Sequence, residues 1–347
     1  MRNHAVIPLI AVLTLAACGS GTPAPQFGSG VSTLPISRAA RVHRAYSPAC
    51  PCVYVANTST ASGAGIITIY PTSATGNFSP GANVITGTNT GLTMPEDINV
   101  DASGKIYVAN TGNSSVTTYA AGSSGNATPL QTISGTNTGL NAPAGISVDT
   151  SGNIYVSNGP SASITVFASG ANGNATPIRT IAGTNTGLSN PKGLTVAGAK
   201  LFVANVGSSS VTVYSATSNG NVSPLQTLSG ANTGISGGAT DVARRGTRMY
   251  VTSGNNQVGV FPANANGNVT PLKTISGTNT LLANPLSVAL GQYGRIWVAN
   301  APLGLVPAVT AYNRYAILSP GNNNIAPIRN INGSATQLAF PAGLFVR

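Results

Sequence analysis

The 347-residue sequence is poor in charged residues, histidine and cysteine. Only 6% of the residues are charged, with 16 bases and 5 acids, and there are two histidines and three cysteines. So few ionisable groups leave little material for general acid–base catalysis or for a histidine-based metal site. The net charge of +11 is spread thinly and without interleaved aromatic residues. We therefore expect no nucleic-acid partner.

A lipoprotein leader is indicated at the amino terminus. Residues 1–18, MRNHAVIPLIAVLTLAAC, join a short basic start, an apolar run too short for a membrane span, and small residues before Cys18. The Leu-Ala-Ala-Cys run resembles the lipobox of bacterial lipoproteins, which implies cleavage before Cys18 and its acylation. An ordinary secretory signal is the alternative. We expect export and lipid anchoring at the bacterial cell envelope, at the outer membrane in a Gram-negative host.

A tether and a cysteine pair follow the leader. Residues 19–49 are rich in Gly, Ser and Pro without periodicity, which indicates a flexible linker. Cys50 and Cys52 flank Pro51 just before the first predicted strand. In an exported protein such a pair favours a disulfide, here a strained and readily reduced one.

The remaining residues, 50–347, contain six variant copies of one unit. Three kinds of recurring residue identify the copies. The first Gly of a GTNTGL-like segment occurs at Gly87, Gly135, Gly183, Gly230, Gly277 and Gly333. An aromatic residue ends a β-branched run at Tyr70, Tyr119, Phe167, Tyr214, Phe261 and Tyr312. An Asn closes a Tyr-Val-Ala-Asn-like run at Asn57, Asn110, Asn158, Asn205 and Asn300, with Ser253 near the place of the missing one. Successive Gly markers lie 48, 48, 47, 47 and 56 residues apart, so the sixth copy carries an insertion.

This period, with about four short strands per copy, predicts β-propeller blades. In the third copy, strands are predicted at 153–157, 163–168 and 177–182, and the strand at 193–196 begins the next blade. The first copy lacks its initial strand, and the chain ends on PAGLFVR (341–347), which has the sequence of that strand. We therefore predict an all-β, six-bladed propeller in which the C-terminal strand pairs with the N-terminal blade and leaves no free sheet edge.

The few charges have a predicted polarity on this ring. Turns after the first strand of each blade carry seven bases against Asp101 and Asp149; the bases are Lys105, Lys200, Arg244, Arg245, Arg248, Arg295 and Arg347. The other three acids, Glu96, Asp97 and Asp241, fall where first strands begin, which places them towards the opposite face. A scattered, solvated charge pattern is the alternative.

The repeat P-x-G-[IL]-x-V-D-x-x-G-N-[IL]-Y-V-[AS]-N, clearest at 143–158, resembles NHL repeats and the related YVTN-type propeller repeats. The resemblance covers residues 50–347 and implies the propeller fold. Such propellers include sugar lactonases, streptogramin lyases, amidating lyases and pure binding modules, so the resemblance alone does not choose a function. The two lyase types rely on ring histidines, whereas this chain keeps only His43, in the tether.

The resemblance also implies one candidate metal site. Sugar lactonases of the SMP-30 type hold a divalent ion through a Glu, Asn and Asp set, which Glu96, Asn158 or Asn205, and Asp241 would imitate. Asp241 lies three copies from Glu96 and Asp97, diametrically opposite in a six-bladed ring. That separation is too wide for shared coordination unless the central opening is narrow. We therefore predict no metal and no cofactor.

The five marker Asn residues have two interpretations. An Asn at the end of a strand commonly satisfies turn backbone groups, and repetition in five blades favours this structural duty. If the amides instead face the opening, they would bind a glycan or a peptide end together with Glu96, Asp97 and Asp241. We predict a monomeric, non-enzymatic module that binds or scaffolds a protein, peptide or glycan. A metal-dependent, lactonase-like hydrolase using Glu96 and Asp241 is the alternative.

Overall fold

The computed structural model describes residues 51–58, 65–314 and 324–347. These residues form short strands and four 3-10 helices, the latter at Ala231–Thr233, Thr278–Thr280, Gln292–Gly294 and Ser334–Thr336. In chain order the strands are β1 (Cys52–Asn57), β2 (Ile66–Pro71), β3 (Val84–Ile85), β4 (Pro95–Val100), β5 (Ile106–Asn110), β6 (Ser115–Tyr119), β7 (Gln131–Ile133), β8 (Pro143–Val148), β9 (Ile154–Asn158), β10 (Ser163–Phe167), β11 (Arg179–Ile181), β12 (Pro191–Ala197), β13 (Lys200–Asn205), β14 (Ser210–Ser215), β15 (Gln226–Leu228), β16 (Ala239–Arg245), β17 (Arg248–Ser253), β18 (Gln257–Pro262), β19 (Lys273–Ile275), β20 (Pro285–Leu290), β21 (Ile296–Asn300), β22 (Ala308–Tyr312), β23 (Arg329–Asn332) and β24 (Pro341–Val346).

The strands form six antiparallel sheets of four, one per blade. Blade 1 contains β24, β1, β2 and β3, and blades 2 to 6 contain β4–β7, β8–β11, β12–β15, β16–β19 and β20–β23. The all-β, six-bladed propeller predicted from the repeat period is confirmed. The strands predicted in the third copy match β9, β10, β11 and the start of blade 4 to within two residues at most ends.

The first and the last strand along the chain lie side by side in blade 1. There β24 pairs antiparallel with β1, with Val346 opposite Val53 and Pro341 opposite Asn57. Ala342, Leu344 and Val346 of β24 are buried. That this pairing is what holds the ring together stays a prediction.

Apolar side chains fill the spaces between neighbouring blades. Between blades 2 and 3, for example, Tyr107 and Ala109 pack with Ile146, Val156 and Phe167. The second strands are buried along their whole length in β1, β5, β9 and β21, as expected for a sheet covered on both faces.

An Asn–Gly contact joins the outer parts of successive blades. In each case an Asn Oδ1 accepts a hydrogen bond from a backbone N–H in the turn after the fourth strand of the preceding blade, at 2.7–2.8 Å. The six Asn residues are Asn77, Asn126, Asn174, Asn221, Asn268 and Asn324. Each Asn lies against a marker Gly at positive φ, where a Cβ would approach within 3 Å, so the Gly of the GTNTGL-like segment is required by this contact.

The innermost strands β4, β8, β12, β16, β20 and β24 surround the axis of the ring, and each contacts the innermost strands of the two neighbouring blades. Each has a register shift near its start. We call the side of the ring that carries the loops from first to second strands the hairpin face, and the side where the innermost strands begin the back face.

Candidate functional site

Two levels of residues line the centre, because alternate residues of a strand face the same side. The level nearer the back face is Asp97, Gly145, Gly193, Asp241, Ser287 and Gly343. The level nearer the hairpin face is Asn99, Ser147, Thr195, Ala243, Ala289 and Phe345. Residues between these levels, such as Ile98 and Val242, pack into the blade interfaces.

The two central carboxylates join neighbouring blades. Asp97 Oδ2 accepts a hydrogen bond from the N–H of Ile146 in blade 3 at 2.9 Å, and its Oδ1 accepts one from Ile98 at 2.8 Å. Asp241 Oδ1 accepts from the N–H of Val242 at 2.7 Å. Its Oδ2 accepts from both Ser287 Oγ and the N–H of Val288 in blade 6, at 2.8 Å each. Each carboxylate thus binds innermost strands to one another.

Two serines make the equivalent connection at other blade junctions. Ser147 Oγ accepts from the N–H of Val196 at 3.1 Å, which links blades 3 and 4. Ser287 Oγ accepts from the N–H of Leu344 at 3.1 Å, which links blades 6 and 1. The central polar side chains therefore form a belt of hydrogen bonds that joins neighbouring blades at four of the six junctions.

An ion pair lies on the back-face side of the belt. Glu96 Oε1 lies 2.8 Å from Lys192 Nζ, and Thr58 Oγ1 donates to Glu96 Oε2 at 3.3 Å. Glu96 belongs to blade 2 and Lys192 to blade 4, so the pair reaches past blade 3. It is the one salt bridge found within residues 51–58, 65–314 and 324–347. Both side chains are largely shielded, with 15% and 21% exposure, so the pair is only partly screened by water.

The centre is consequently open on one side and nearly filled on the other. Around Glu96, Lys192 and the two aspartates the free space amounts to about 10 Å³. Towards the hairpin face a cavity of about 190 Å³ has Asp97 and Asp241 at its base and Asn99, Thr195 and Phe345 among its walls. A ligand can therefore enter from the hairpin face.

The two aspartates are closer than the sequence suggested. Burial raises the pKa of Asp97 well above 3.8, and the negative charge of Asp241 raises it further. Burial also raises the pKa of Asp241, while hydrogen bonds from Val288, Ser287 and Val242 and the charge of Lys192 oppose the rise. Both aspartates line the same two central spaces, so the opening is narrow, which is the one condition under which the sequence analysis allowed them to approach each other. Both acids lie in the level nearer the back face, as the charge pattern predicted, but they line the central channel and the base of the hairpin-face cavity rather than an outer surface.

The raised pKa of Asp97 predicts how stability depends on pH. A carboxyl group whose pKa is higher in the folded state contributes its stability at low pH, and this contribution is lost as pH rises through the window above 3.8. We expect the free energy of unfolding to fall over that window in the native protein and to be flatter in Asp97→Asn. Urea denaturation at a series of pH values measures both profiles; identical slopes would contradict the assignment.

The two acids in turns, Asp101 and Asp149, affect stability only at pH values below the range in which Asp97 acts, so they do not obscure this test. Although partial burial opposes it, hydrogen bonds from Ser103, Tyr107 and Lys105 hold the pKa of Asp101 below 3.8. Asp149 is held low in the same way by Asn153 and Ser151. Their stabilisation is present above the unfolded pKa and is lost as pH falls through the folded one, which lies below the Asp97 window.

The five marker Asn residues serve the blades. All are at most 1% exposed, and each Nδ2 donates to a Thr hydroxyl of the third strand at 3.0–3.2 Å. Each Oδ1 accepts from a backbone N–H just before the first strand, at 3.0–3.3 Å. The residues are Asn57, Asn110, Asn158, Asn205 and Asn300. Because their amides are buried and bonded internally, they do not face the opening, and the interpretation as ligand-binding residues is wrong.

Removing one of these amides is expected to destabilise the fold. Asn158→Ala would leave the N–H of Asn141 and the hydroxyl of Thr165 without their partner and would open a small void. We expect a loss of about 2–3 kcal/mol in the free energy of unfolding. Asn264→Ala is the matched control, since the Asn264 side chain is exposed, and it should change little. Equal urea midpoints for the two variants would contradict this role.

The lactonase-like ligand set is not assembled. Glu96 is paired with Lys192, Asp241 accepts three hydrogen bonds, and Asn158 and Asn205 are buried within their blades. Within the described part of the chain no group of three or more His, Cys, Asp or Glu side chains is placed to hold a metal ion. That proposed set is therefore wrong in its asparagines, and its two acids already have other partners.

Other predicted residues are only partly described. Cys52 is 1% exposed, and burial raises the pKa of its thiol to about 12 although the charge of Arg347 opposes the rise. Cys50, Cys18 and His43 lie outside the described residues, so the disulfide and the lipid anchor stay predictions. In the described residues there is no helix long and apolar enough to cross a membrane.

Sequence reasoning missed Lys192, Ser147 and Ser287. Alignment of the six copies could have found Lys192, because one position of the first strand carries a charge in only two copies. The residues at that position are Glu96, Ala144, Lys192, Thr240, Leu286 and Ala342. Opposite charges at one level of the ring indicate a pair.

The chain is similar to one protein family and to solved structures of known proteins. A family profile described as "Lactonase, 7-bladed beta-propeller" matches residues 100–236, which is less than half of the chain. A chain of a nidogen/laminin complex has a TM-score of 0.58 at 12% identity, over 85% of this chain and 97% of that one. The WD40 β-propeller domain of Doa1 has a TM-score of 0.47 at 14% identity, over 70% of each chain. No curated protein matches the sequence.

Proposed function

We propose that this protein is a non-enzymatic binding module of the bacterial cell envelope, which takes its ligand on the hairpin face over the central cavity. One observation carries the proposal: the centre is filled at the back by Glu96 and Lys192 and is open towards the hairpin face. The carboxylates that a hydrolase would need are engaged in the ion pair and the belt of hydrogen bonds. What remains accessible is a polar cavity whose two aspartates already accept hydrogen bonds from the innermost strands.

The walls of the cavity favour a glycan. Asn99 and Thr195 offer an amide and a hydroxyl, which are neutral groups suited to sugar hydroxyls. Phe345, which is partly exposed, offers an aromatic surface for the apolar face of a sugar ring. Arg244 lies at the rim and is exposed. A second cavity of about 540 Å³, lined in part by Asn99, Ser147 and Phe345, extends this surface over blades 2 and 3.

A glycan array probed with the full-length protein in detergent tests this proposal. Ala243 lines the cavity, so Ala243→Trp should fill it and remove binding of the recognised oligosaccharides. Ala120→Trp is the matched control, since Ala120 is exposed after β6 and away from the cavity. Binding that survives Ala243→Trp would overturn the location of the site. Absence of glycan binding together with cavity-dependent binding of a peptide panel would overturn the ligand class.

The envelope location rests on the Leu-Ala-Ala-Cys sequence before the predicted cleavage point. Cys18→Ser is expected to release the protein from membranes or to stop its processing, because the acylated thiol is the attachment. Membrane fractionation and labelling with palmitate measure this. Unchanged fractionation with no incorporated label would contradict lipid anchoring.

A metal-dependent, lactonase-like hydrolase is the second candidate, and the profile match over residues 100–236 favours it. Glu96 and Asp241 would be its metal ligands. A specific ion site would raise the melting temperature by mass action. Calcium, magnesium and zinc titrations of the native protein and of Glu96→Gln distinguish the candidates: the binding module predicts no ion-specific shift in either.

A further inference from the structure

A cavity lined by three arginines lies on the hairpin face between blades 5 and 6. Its volume is about 420 Å³, and its lining is Arg245, Gly246, Thr247, Arg248, Tyr250, Gly294 and Arg314. No Asp or Glu belongs to this lining. The cavity is separate from the central one, with which it shares no lining residue.

Two of the arginines are set by one tight turn. Arg245 and Arg248 are paired at the end of the β16–β17 hairpin, across Gly246 and Thr247. Gly246 has φ of +59°, a conformation that suits glycine. Arg245 Nη1 donates to the carbonyl of Gly291 in blade 6 at 2.6 Å, which holds its guanidinium at the blade junction. A guanidinium has five N–H donors, so most of those on Arg245 remain for another acceptor.

No Asp or Glu side chain lines this cavity beside Arg245 or Arg248. The chain has five acids, and each is placed elsewhere: Glu96 with Lys192, Asp97 and Asp241 in the channel, and Asp101 and Asp149 in turns of blades 2 and 3. A cleft lined by charges of one sign has a potential that attracts ions of the opposite sign. The clustering therefore indicates an anionic ligand.

An exposed aromatic residue lies beside the cavity. Tyr293 precedes the lining residue Gly294, and it is 75% exposed at φ of +58°. A bulky residue in the left-handed region is strained, and such strain is concentrated at functional sites. Tyr293 thus provides an aromatic surface next to the arginines.

We propose that the arginine cavity binds a phosphoryl group, with Arg245 and Arg248 as its principal ligands. The planar fork of a guanidinium matches two phosphate oxygens at once, and two forks at one turn match a phosphate monoester. Inorganic phosphate, a sugar phosphate and a phospholipid headgroup share this chemistry. The proposal goes beyond the glycan cavity and does not depend on it.

Calorimetric titration of the full-length protein tests the site, with inorganic phosphate, glucose 1-phosphate, and vesicles of phosphatidylglycerol and phosphatidylcholine as probes. We expect saturable binding of at least one probe, weakened at least tenfold by Arg248→Gln and by Arg245→Gln. Arg248→Lys keeps the charge but not the fork and should give an intermediate loss. Lys105→Gln is the control for overall charge, because Lys105 lies on the same face in blade 2; it should change affinity less than threefold.

Each outcome has a defined meaning. Binding of vesicles alone assigns the phosphoryl group to a lipid headgroup, and binding of glucose 1-phosphate or phosphate assigns it to a soluble ligand. No saturable binding by any probe would overturn the proposal. Equal weakening by Lys105→Gln and Arg248→Gln would overturn it too, because the effect would then reflect diffuse charge. Thermal melts of every variant separate loss of the site from loss of the fold.

Discussion

Deleting Phe340–Arg347 is expected to prevent stable folding. The deletion removes β24 and leaves β1 with a free edge at the centre of the ring. It also removes the buried side chains of Ala342, Leu344 and Val346 and the hydrogen bond from Leu344 to Ser287. At about 1.5–3 kcal/mol for each large buried side chain, with an unpaired strand added, the loss approaches the whole stability of about 5–15 kcal/mol of a typical protein.

The control for this deletion is removal of residues 19–40, which the sequence assigns to the tether. Circular dichroism melts should show a cooperative transition for the control and an early, broad one for the C-terminal deletion. Equal melting temperatures would mean that the β24–β1 pairing does not hold the ring. Removal of Arg347 alone, which donates to the carbonyl of Ala102, is expected to have a small effect.

Gly193→Ala is expected to destabilise the protein by at least about 3 kcal/mol. A Cβ at this position would lie 2.0 Å from Asp241 Oδ1 and 2.6 Å from Asp241 Cα. Asp241 cannot move aside, because Val242, Ser287 and Val288 hold its carboxylate. A decrease in the free energy of unfolding would be informative, since Gly→Ala at an unstrained position usually stabilises a protein by about 0.4–1 kcal/mol.

Thr195→Val is the matched control, two residues along the same strand and partly exposed at the cavity wall. Urea denaturation of both variants measures the difference. A Gly193→Ala protein as stable as the native one would show that blades 4 and 5 do not approach closely at the axis, and the narrow channel would be contradicted.

The number of blades and the strand order of each blade were predictable because they repeat. Six Gly markers and six aromatic markers show that one unit, which cannot bury its faces alone, occurs six times. The C-terminal sequence PAGLFVR supplies the strand that the first copy lacks. The buried role of Asn158 was predictable for the same reason. An Asn that recurs in five of the six blades, with a Thr seven positions later in three of them, has a structural role within each blade.

The geometry of the centre was not predictable from the period. The width of the channel depends on how closely the innermost strands approach, and that approach depends on Gly145, Gly193 and Gly343, which leave room for the backbone of the next blade. Without that distance, Asp97 and Asp241 were interpreted as separated acids. In the structure they share one cavity and the charge of one acts on the other.

The arginine cavity shows a second limit. The charge pattern predicted that Arg245 and Arg248 lie on a basic face, but it did not predict that they line one cavity. Arg314 joins them only because the third strand of blade 6 ends beside the hairpin of blade 5, and this contact between blades has no counterpart in the repeat pattern.

Hydrolysis of lactones and simple esters, with and without added calcium, magnesium or zinc, is the measurement that most directly tests binding against catalysis. Glu96 is paired with Lys192, and Asp97 and Asp241 accept hydrogen bonds from backbone N–H groups, so activating water or coordinating an ion would compete with these partners. We expect rates equal to those of buffer containing the same ion. Metal-dependent turnover that is abolished by Glu96→Gln and retained in Lys105→Gln would contradict the account and establish the hydrolase.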